Sequence, residues 1–458
     1  MKLNSMHLNV DPNTLQLAQE CTEQLEDAWK HIDELVFSNQ IKVLRAFSDS
    51  RISLTHMWPS TGYGYQDTGR EGLESLFAQV FGGESALVRL AWTSGTHVLK
   101  TALFGLLRPG DELLSVTGTP YETLQPVIGI GPQCEPARQT DCQLQQVQPG
   151  SLKDFGIEYR ETSCLIDFEA GAIDEDMLRQ ELERSITSST RLVLIQRSRG
   201  YSHRKTISIA SLGTFMELVR NKWPHIITFV DNCYCEFTDV LEPPALGVSI
   251  TAGSLIKNPG GGLTATGGYV VGQEKYVDLV AGSLYAPGLG KEAGSNPYGY
   301  RDAYQGLFLA PKVVGEALKG ASFAALFFGK LGYQVDPGPF DQRGDIVQEI
   351  TLEHPEKLKS FSRAIQEASP IDSFATPEPW DMPGYAHQVI MAAGTFVQGA
   401  SIELSCDGPF THPYTAYLQG GLTKEHVIYA CLRAKDALAS IGEKHNSKQV
   451  NAKTYRAQ

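Results

Sequence analysis

The chain has 458 residues, 42% of them hydrophobic, and carries a formal net charge of −13 from 52 acidic and 39 basic residues. That length exceeds a single compact core and predicts two domains with trimmings, while the hydrophobic share excludes wholesale disorder. The acidic balance, without any Lys/Arg stripe, excludes a nucleic-acid partner, and the longest apolar run, 321-ASFAALFFG-329, is too short to span a bilayer.

The N-terminus, MKLNSMHLNVDPN, lacks the apolar core of a signal peptide, which predicts a cytoplasmic protein. Asp11-Pro12 reads as an N-cap followed by proline at the first helical position. After it Ala18, Cys21, Leu25, Ala28, Ile32 and Leu35 recur at steps of three and four, predicting one long helix whose apolar face suits a partner subunit. From about residue 61 the runs 85-SALVRL-90, 111-DELLSV-116, 191-RLVLIQ-196 and 226-IITFVD-231 are near-continuous in branched aliphatics, as parallel strands covered on both faces are. Their spacing leaves room for crossover helices, one through 210-ASLGTFMELVRNKW-223. The fold class predicted is α/β, a doubly wound and mostly parallel sheet with ligands at the carboxyl ends of its strands.

A helix through 310–332 closes that domain, and 345-DIVQEITL-352, a helix through 355–368 and a strand in 396-FVQGASIELS-405 predict a smaller α+β unit. The divisions expected are 1–60 (N-terminal helical segment), 61–330 (large domain), 331–445 (small domain) and 446–458 (loose tail). Eight cysteines, at 21, 134, 142, 164, 233, 235, 406 and 431, form no C-x-x-C pair, and no histidine cluster has ligand spacing, so neither a zinc site nor a disulfide framework is indicated. Cys233-Tyr-Cys235 reads as two buried thiols on a strand edge.

Lys257, in 254-SLIKNPGGG-262, stands between an apolar pair and three glycines. It admits four readings: a surface lysine, a phosphate clamp, the base of a serine acyl-transfer site, or an amine bonded to a cofactor. Ser254-x-x-Lys257 fits the serine-nucleophile motif of penicillin-binding proteins, but its S-D-N and K-T-G companions are absent. No Walker A loop occurs, and Gly260-x-Gly262-x-x-Ala265 follows no strand that feeds a helix. The cofactor reading, a Schiff base with pyridoxal 5'-phosphate, requires accessories that can be looked for. Asp231 ends a buried strand and would pair with the pyridine nitrogen, or else close the strand in an Asx turn. Ser94, Gly95 and Thr96 open a helix whose positive end favours a phosphate, and Ser254 adds a hydroxyl. Tyr121, in 117-TGTPYETL-124, would stack on the ring or sit as an ordinary half-buried tyrosine.

The order Ser94-Gly95-Thr96, Tyr121, Asp231, Ser254-x-x-Lys257 resembles fold type I pyridoxal-phosphate enzymes, in particular the cystathionine and methionine γ-lyase group. The stretches 196-QRSRGY-201, 229-FVDNCYCEF-237, 252-AGSLIKNPGGGLTATGGY-269 and 397-VQGASIELSCDGP-409 resemble, more narrowly, the methionine γ-lyase-related proteins often labelled aluminium resistance proteins. The resemblance implies a homodimer or homotetramer in which a neighbouring subunit supplies Tyr65 and Arg70, with Tyr63 as alternate, to the phosphate. It also implies a small amino-acid substrate, with Lys257, Asp231 and Tyr121 as the catalytic set. Two departures stand out: Ile256 replaces the hydroxyl residue usual before the lysine, and Glu403 stands where an arginine for the substrate carboxylate is expected. Arg197 and Arg199, after the strand 191–196, are the substitutes this pattern offers, or else two surface arginines. The activity expected is carbon–sulfur bond cleavage by β- or γ-elimination. Aldol cleavage, γ-replacement and cofactor binding without turnover are the alternatives.

Overall fold

The computed structural model describes residues 10–131, 148–382, 385 and 387–454. Cys134 and Cys142 lie outside them. The N-terminal segment forms two helices, Pro12–Gln24 and Glu26–Asp49, joined at Leu25. Asp11 takes the N-cap position, yet its side chain accepts no amide there. Leu15, Ala18, Cys21 and Leu25 bury against Phe323, Phe327, Ile428 and Cys431 of the same chain, so this helical face is covered without a partner subunit.

Seven strands build the large sheet: β1 (Ser85–Arg89), β2 (Glu112–Ser115), β3 (Glu158–Glu161), β4 (Thr190–Gln196), β5 (Ile227–Asp231), β6 (Ile250–Ser254) and β7 (Gly268–Gly272). Their order is β1-β7-β6-β5-β4-β2-β3, with β7 antiparallel to both neighbours and the other pairs parallel. The four aliphatic runs read as strands are β1, β2, β4 and β5; β1 meets only the antiparallel β7. Crossover helices such as Gly95–Leu106 and Ile209–Lys222 cover the faces, giving an apolar core on each side of the sheet. Burial of every residue in β5 and β6 fits strands enclosed on both faces.

The helix Arg301–Lys330 begins nine residues before the stretch read as helical and runs through Pro311. It leads to a second, antiparallel sheet of β8 (Gln334–Asp336), β9 (Val347–Thr351), β10 (Val389–Ala392), β11 (Ser405–Pro409) and β12 (Thr415–Gln419), in the order β10-β11-β12-β9-β8. The strand expected within 396–405 begins only at Ser405; residues 401–404 are turn and bend. The last helix runs Lys424–Thr454, into the stretch read as a tail, as the helix-forming Ala, Lys and Gln there allow. Among the described residues no helix is long and apolar enough to cross a membrane.

Candidate active site

Sheet register brings the site together. Gln196 pairs with Asp231 across β4 and β5, and Asp231 pairs with Ala252 of β6, two residues before Ser254. All three strands end at one edge, and the helix Gly95–Leu106 that follows β1 starts there as well. A cavity at this edge is lined by Gly95, Thr96, Tyr121, Asp231, Tyr234 and Lys257, with Gln196, Ser198 and Cys233 on its walls.

Lys257 enters it from a rigid base. The glycines beyond it are close-packing positions rather than a flexible joint: a Cβ on Gly260 would overlap the Leu255 carbonyl, and Gly261 and Gly262 hold φ of +55° and +76° against Gly306 and Leu422. The Lys257 ammonium lies 4.0 Å from the ring centroid of Tyr234, a cation–π distance. Tyr234 itself sits at φ +73°, a left-handed conformation uncommon for a bulky residue. Burial favours the neutral amine, but Cys233, Tyr234, Asp231 and Glu236 around it outweigh burial and raise the Lys257 pKa.

Asp231 is buried, with one carboxylate oxygen accepting the Cys233 amide at 3.1 Å. The Asx turn is thus formed, to Cys233, and the residue still lines the cavity. Burial pushes its carboxyl up, while Lys257 and the Cys233 amide pull in the other direction. Ser94 caps the helix Gly95–Leu106 by accepting the His97 amide at 3.1 Å. A Cβ on Gly95 would stand 3.5 Å from the Ser254 Cβ and 3.6 Å from Cys233 Sγ, so helix start and strand end converge. The Ser254 hydroxyl is buried without a hydrogen-bond partner. Among the described residues none accepts its proton as a base would, whereas a donor beside a helix N-terminus fits a phosphate. The residues present fit pyridoxal 5'-phosphate: an amine, a carboxylate at a strand end, an orphaned hydroxyl at a helix start, and an aromatic wall.

That wall is larger than Tyr121. Its hydroxyl lies 2.5 Å from that of Tyr385, its ring meets Tyr201 edge-on at 5.6 Å, and its backbone amide donates to Gln196 at 2.7 Å. Tyr201 in turn donates to Asp407 of β11 at 2.7 Å, so the second sheet supports the wall. Tyr201, Tyr234, Tyr385 and Gln196 were not singled out as site residues from sequence. Three of them, Gln196, Tyr201 and Tyr234, lie in quoted stretches, but only their position at or just past a strand end could have marked them. Glu236, also unread, is fully buried: one oxygen accepts the Tyr269 hydroxyl at 2.7 Å, the other has no partner, and burial lifts its pKa to about 8.

Other expected residues are placed elsewhere. Arg197 and Arg199 are buried rather than at the surface, and line a different cavity: Arg197 donates to Asn232 at 2.7 Å and to the Ile207 carbonyl, and Arg199 pairs with Asp336. Glu403 accepts the amides of Phe396 and Val397 at 2.8 and 2.9 Å, so it organises its own loop. Arg70 is buried, with one guanidinium nitrogen donating to the carbonyls of Gly64 and Gly294. Tyr65 is 57% exposed and stacks on Tyr63. Neither Tyr65 nor Arg70 lines the Lys257 cavity within the chain. Cys233 and Cys235 are buried as expected, but in turns after β5 rather than on a strand edge.

The family model described as methionine gamma-lyase matches residues 14–439. The chain is 46% identical to a Bacillus subtilis protein named only as uncharacterized, YnbB, over 92% of this chain and 95% of that one. It is 43% identical to a solved carbon-sulfur lyase involved in aluminum resistance from Clostridium novyi, with a TM-score of 0.85 over 93% of this chain and 96% of that one. The Escherichia coli pyridoxal-5'-phosphate dependent protein YhfS, 15% identical, has a TM-score of 0.59 over 89% and 97% of the two chains. The α/β architecture is that of fold type I pyridoxal-phosphate enzymes.

Proposed function

Since the chain belongs to the methionine gamma-lyase family, we propose that it is a pyridoxal 5'-phosphate-dependent carbon–sulfur lyase, cleaving a small sulfur-containing amino acid by β- or γ-elimination. One observation carries this reading: Lys257, Asp231 and the unpartnered Ser254 hydroxyl meet at a helix N-terminus on a single strand-end edge. Lys257 would hold the cofactor covalently, Asp231 its ring nitrogen, and Ser254 with the Gly95–Thr96 amides its phosphate. When bound, the cofactor supplies a sink for the electron pair left on the substrate's α-carbon.

The chain's own groups do the rest. Lys257 Nζ is the base for the α-proton, and its acidic surroundings decide when the amine is free to accept one. Tyr121, its hydroxyl against that of Tyr385, holds a proton at the wall where a departing thiol could take it. The rings of Tyr121, Tyr201 and Tyr385 form one apolar wall beside the reacting groups. Among the described lining residues Lys257 is the sole cation, so the substrate carboxylate falls to Gln196 and backbone amides. A second copy of the chain, bringing the exposed Tyr65, would complete the phosphate end in a homodimer or homotetramer in the cytoplasm. The missing arginine favours one second reading, a cofactor-binding protein without turnover.

A visible absorption spectrum of the purified protein, alone and with cysteine, cystathionine or methionine, tests the proposal against Lys257→Ala. We expect a band that requires Lys257 and shifts with one of these amino acids, together with release of a keto acid and a thiol. No band after adding the cofactor would sink the reading. A band unmoved by any amino acid supports the non-catalytic alternative, and cleavage to an aldehyde supports aldol chemistry.

A further inference from the structure

The second cavity, of about 320 Å³, is lined by Arg197, Arg199, Arg343, Lys205, Thr206 and Ser208, within the size range of small-molecule sites. Arg343 is 7% exposed. One of its terminal nitrogens donates to Gln348 at 2.7 Å and weakly to the Gly338 carbonyl. Its other terminal nitrogen and its Nε are buried and have no hydrogen-bond partner among the described residues. Nε of Arg199 is likewise unpartnered. Among the described residues no carboxylate forms an ion pair with Arg343.

The acidic side chains on the same walls are engaged elsewhere. Asp336 pairs with Arg199, Glu169 accepts the amide and hydroxyl of Ser208, Asp239 accepts the Val240 amide, and Asp341 accepts the Gly338 amide. Burial lowers the Arg343 pKa only to about 10, so the group stays charged at neutral pH. Arg343 lies on the cavity wall with Arg199 and Lys205, its charge supported from a distance by Asp345, Asp341 and Asp336, while its Nε and one terminal nitrogen, on opposite edges of the guanidinium, lack acceptors that a carboxylate or phosphate oxygen would supply.

We propose that this cavity binds a small carboxylate- or phosphate-bearing molecule, seated on Arg343 and flanked by Arg199 and Lys205, separately from the Lys257 cavity. The two share a wall. Gln196, Ser198 and Gly200 face the lysine side, while Arg197 and Arg199 face the arginine side. Asp345 braces that wall by accepting from the Ser198 hydroxyl at 2.9 Å and the Arg199 amide at 3.2 Å.

The test uses the cofactor-loaded protein, whose phosphate cradle at Ser254 is then filled, in buffer free of oxyanions and at constant ionic strength. Inorganic phosphate and malonate are titrated in separate arms, with the thermal midpoint and binding heat as readouts. The expected result is a saturable rise in midpoint with at least one of them, absent in Arg343→Met, whose midpoint without oxyanion is no lower than that of the parent. The arm that responds tells a phosphate ligand from a carboxylate one. Lys205→Glu, at an exposed rim position, is expected to weaken that binding roughly tenfold while leaving the fold intact. If Arg343→Met does not fold, Lys205→Glu decides alone. No response to either anion, an equal response in Arg343→Met, or unchanged affinity in Lys205→Glu overturns the proposal.

Discussion

Two buried cations stand on either side of one stretch of chain, and they are treated differently. Lys257 has the Asp231 carboxylate and the ring face of Tyr234 to support its charge, with Glu236 and Cys233 close by. Arg343, across the wall, has two unpartnered nitrogens and, among the described residues, no carboxylate at ion-pair distance, with Asp345, Asp341 and Asp336 acting on it from further off. A buried charge with a counter-charge beside it is held in place until that pairing is displaced, as the cofactor proposed for Lys257 would do. One without such a neighbour calls for something from solution. The contrast locates where this chain stands ready to react and where it stands ready to bind.

Substitutions can break or sharpen that contrast. The largest effect is expected from Asp231→Asn, which removes the charge proposed to meet the ring nitrogen of pyridoxal 5'-phosphate. Turnover should fall by about 100-fold or more in steady-state assays, while the phosphate response at Arg343 persists. A loss of both would mean that the two cavities are one functional unit. Ser254→Ala should weaken cofactor retention by about tenfold, measured by equilibrium dialysis, as expected for deleting one hydrogen bond to a charged group. The smallest effect concerns Glu236. Its folded pKa of about 8 lies above the ordinary 4.5, so its proton is bound more tightly in the folded chain. The stability it contributes is full below about pH 4.5 and is lost as pH rises to about 8. Glu236→Gln should therefore flatten the fall in thermal midpoint between pH 5 and 8 by roughly a few degrees. An unchanged slope would show that Glu236 does not hold that proton.

Much of the large sheet was legible, because β1, β2, β4 and β5 are dense in Val, Leu and Ile, the mark of strands buried on both faces. β6 and β7 were not. Their ITAGS and GYVVG carry Gly, Ala, Ser and Thr where neighbours crowd: a Cβ on Gly253 would meet Glu236 and Tyr269, and one on Gly268 would meet Val98 and Trp92. The same crowding explains the three glycines after Lys257, whose contacts come from positions 306 and 422, far along the chain. Asp231 and the helix start could be found because each follows a readable strand, whereas Ser254 and Lys257, after the unread β6, were found from the local stretch 254-SLIKNPGGG-262. Arg197 and Arg199 were misplaced because alternation past a strand end decides which side a residue faces, and sequence gives the spacing but not which side holds the ligand. Glu403 was read through an expected strand that turned out to be a turn, where a carboxylate collects nearby amides.

The alternation between residues 196 and 200 also has a bearing on how this protein can change. A change at Gln196 would alter the lysine side and leave the arginine chamber alone, whereas a change at Ser198 would also release its bond to Asp345, which holds the Arg199 amide. Insertion or deletion of a single residue in this span has no such freedom: it would swing Arg197 or Arg199 toward Lys257 and a neutral side chain toward Arg343. Lineages of this chain should therefore vary in which residues occupy 196–200 far more readily than in how many there are.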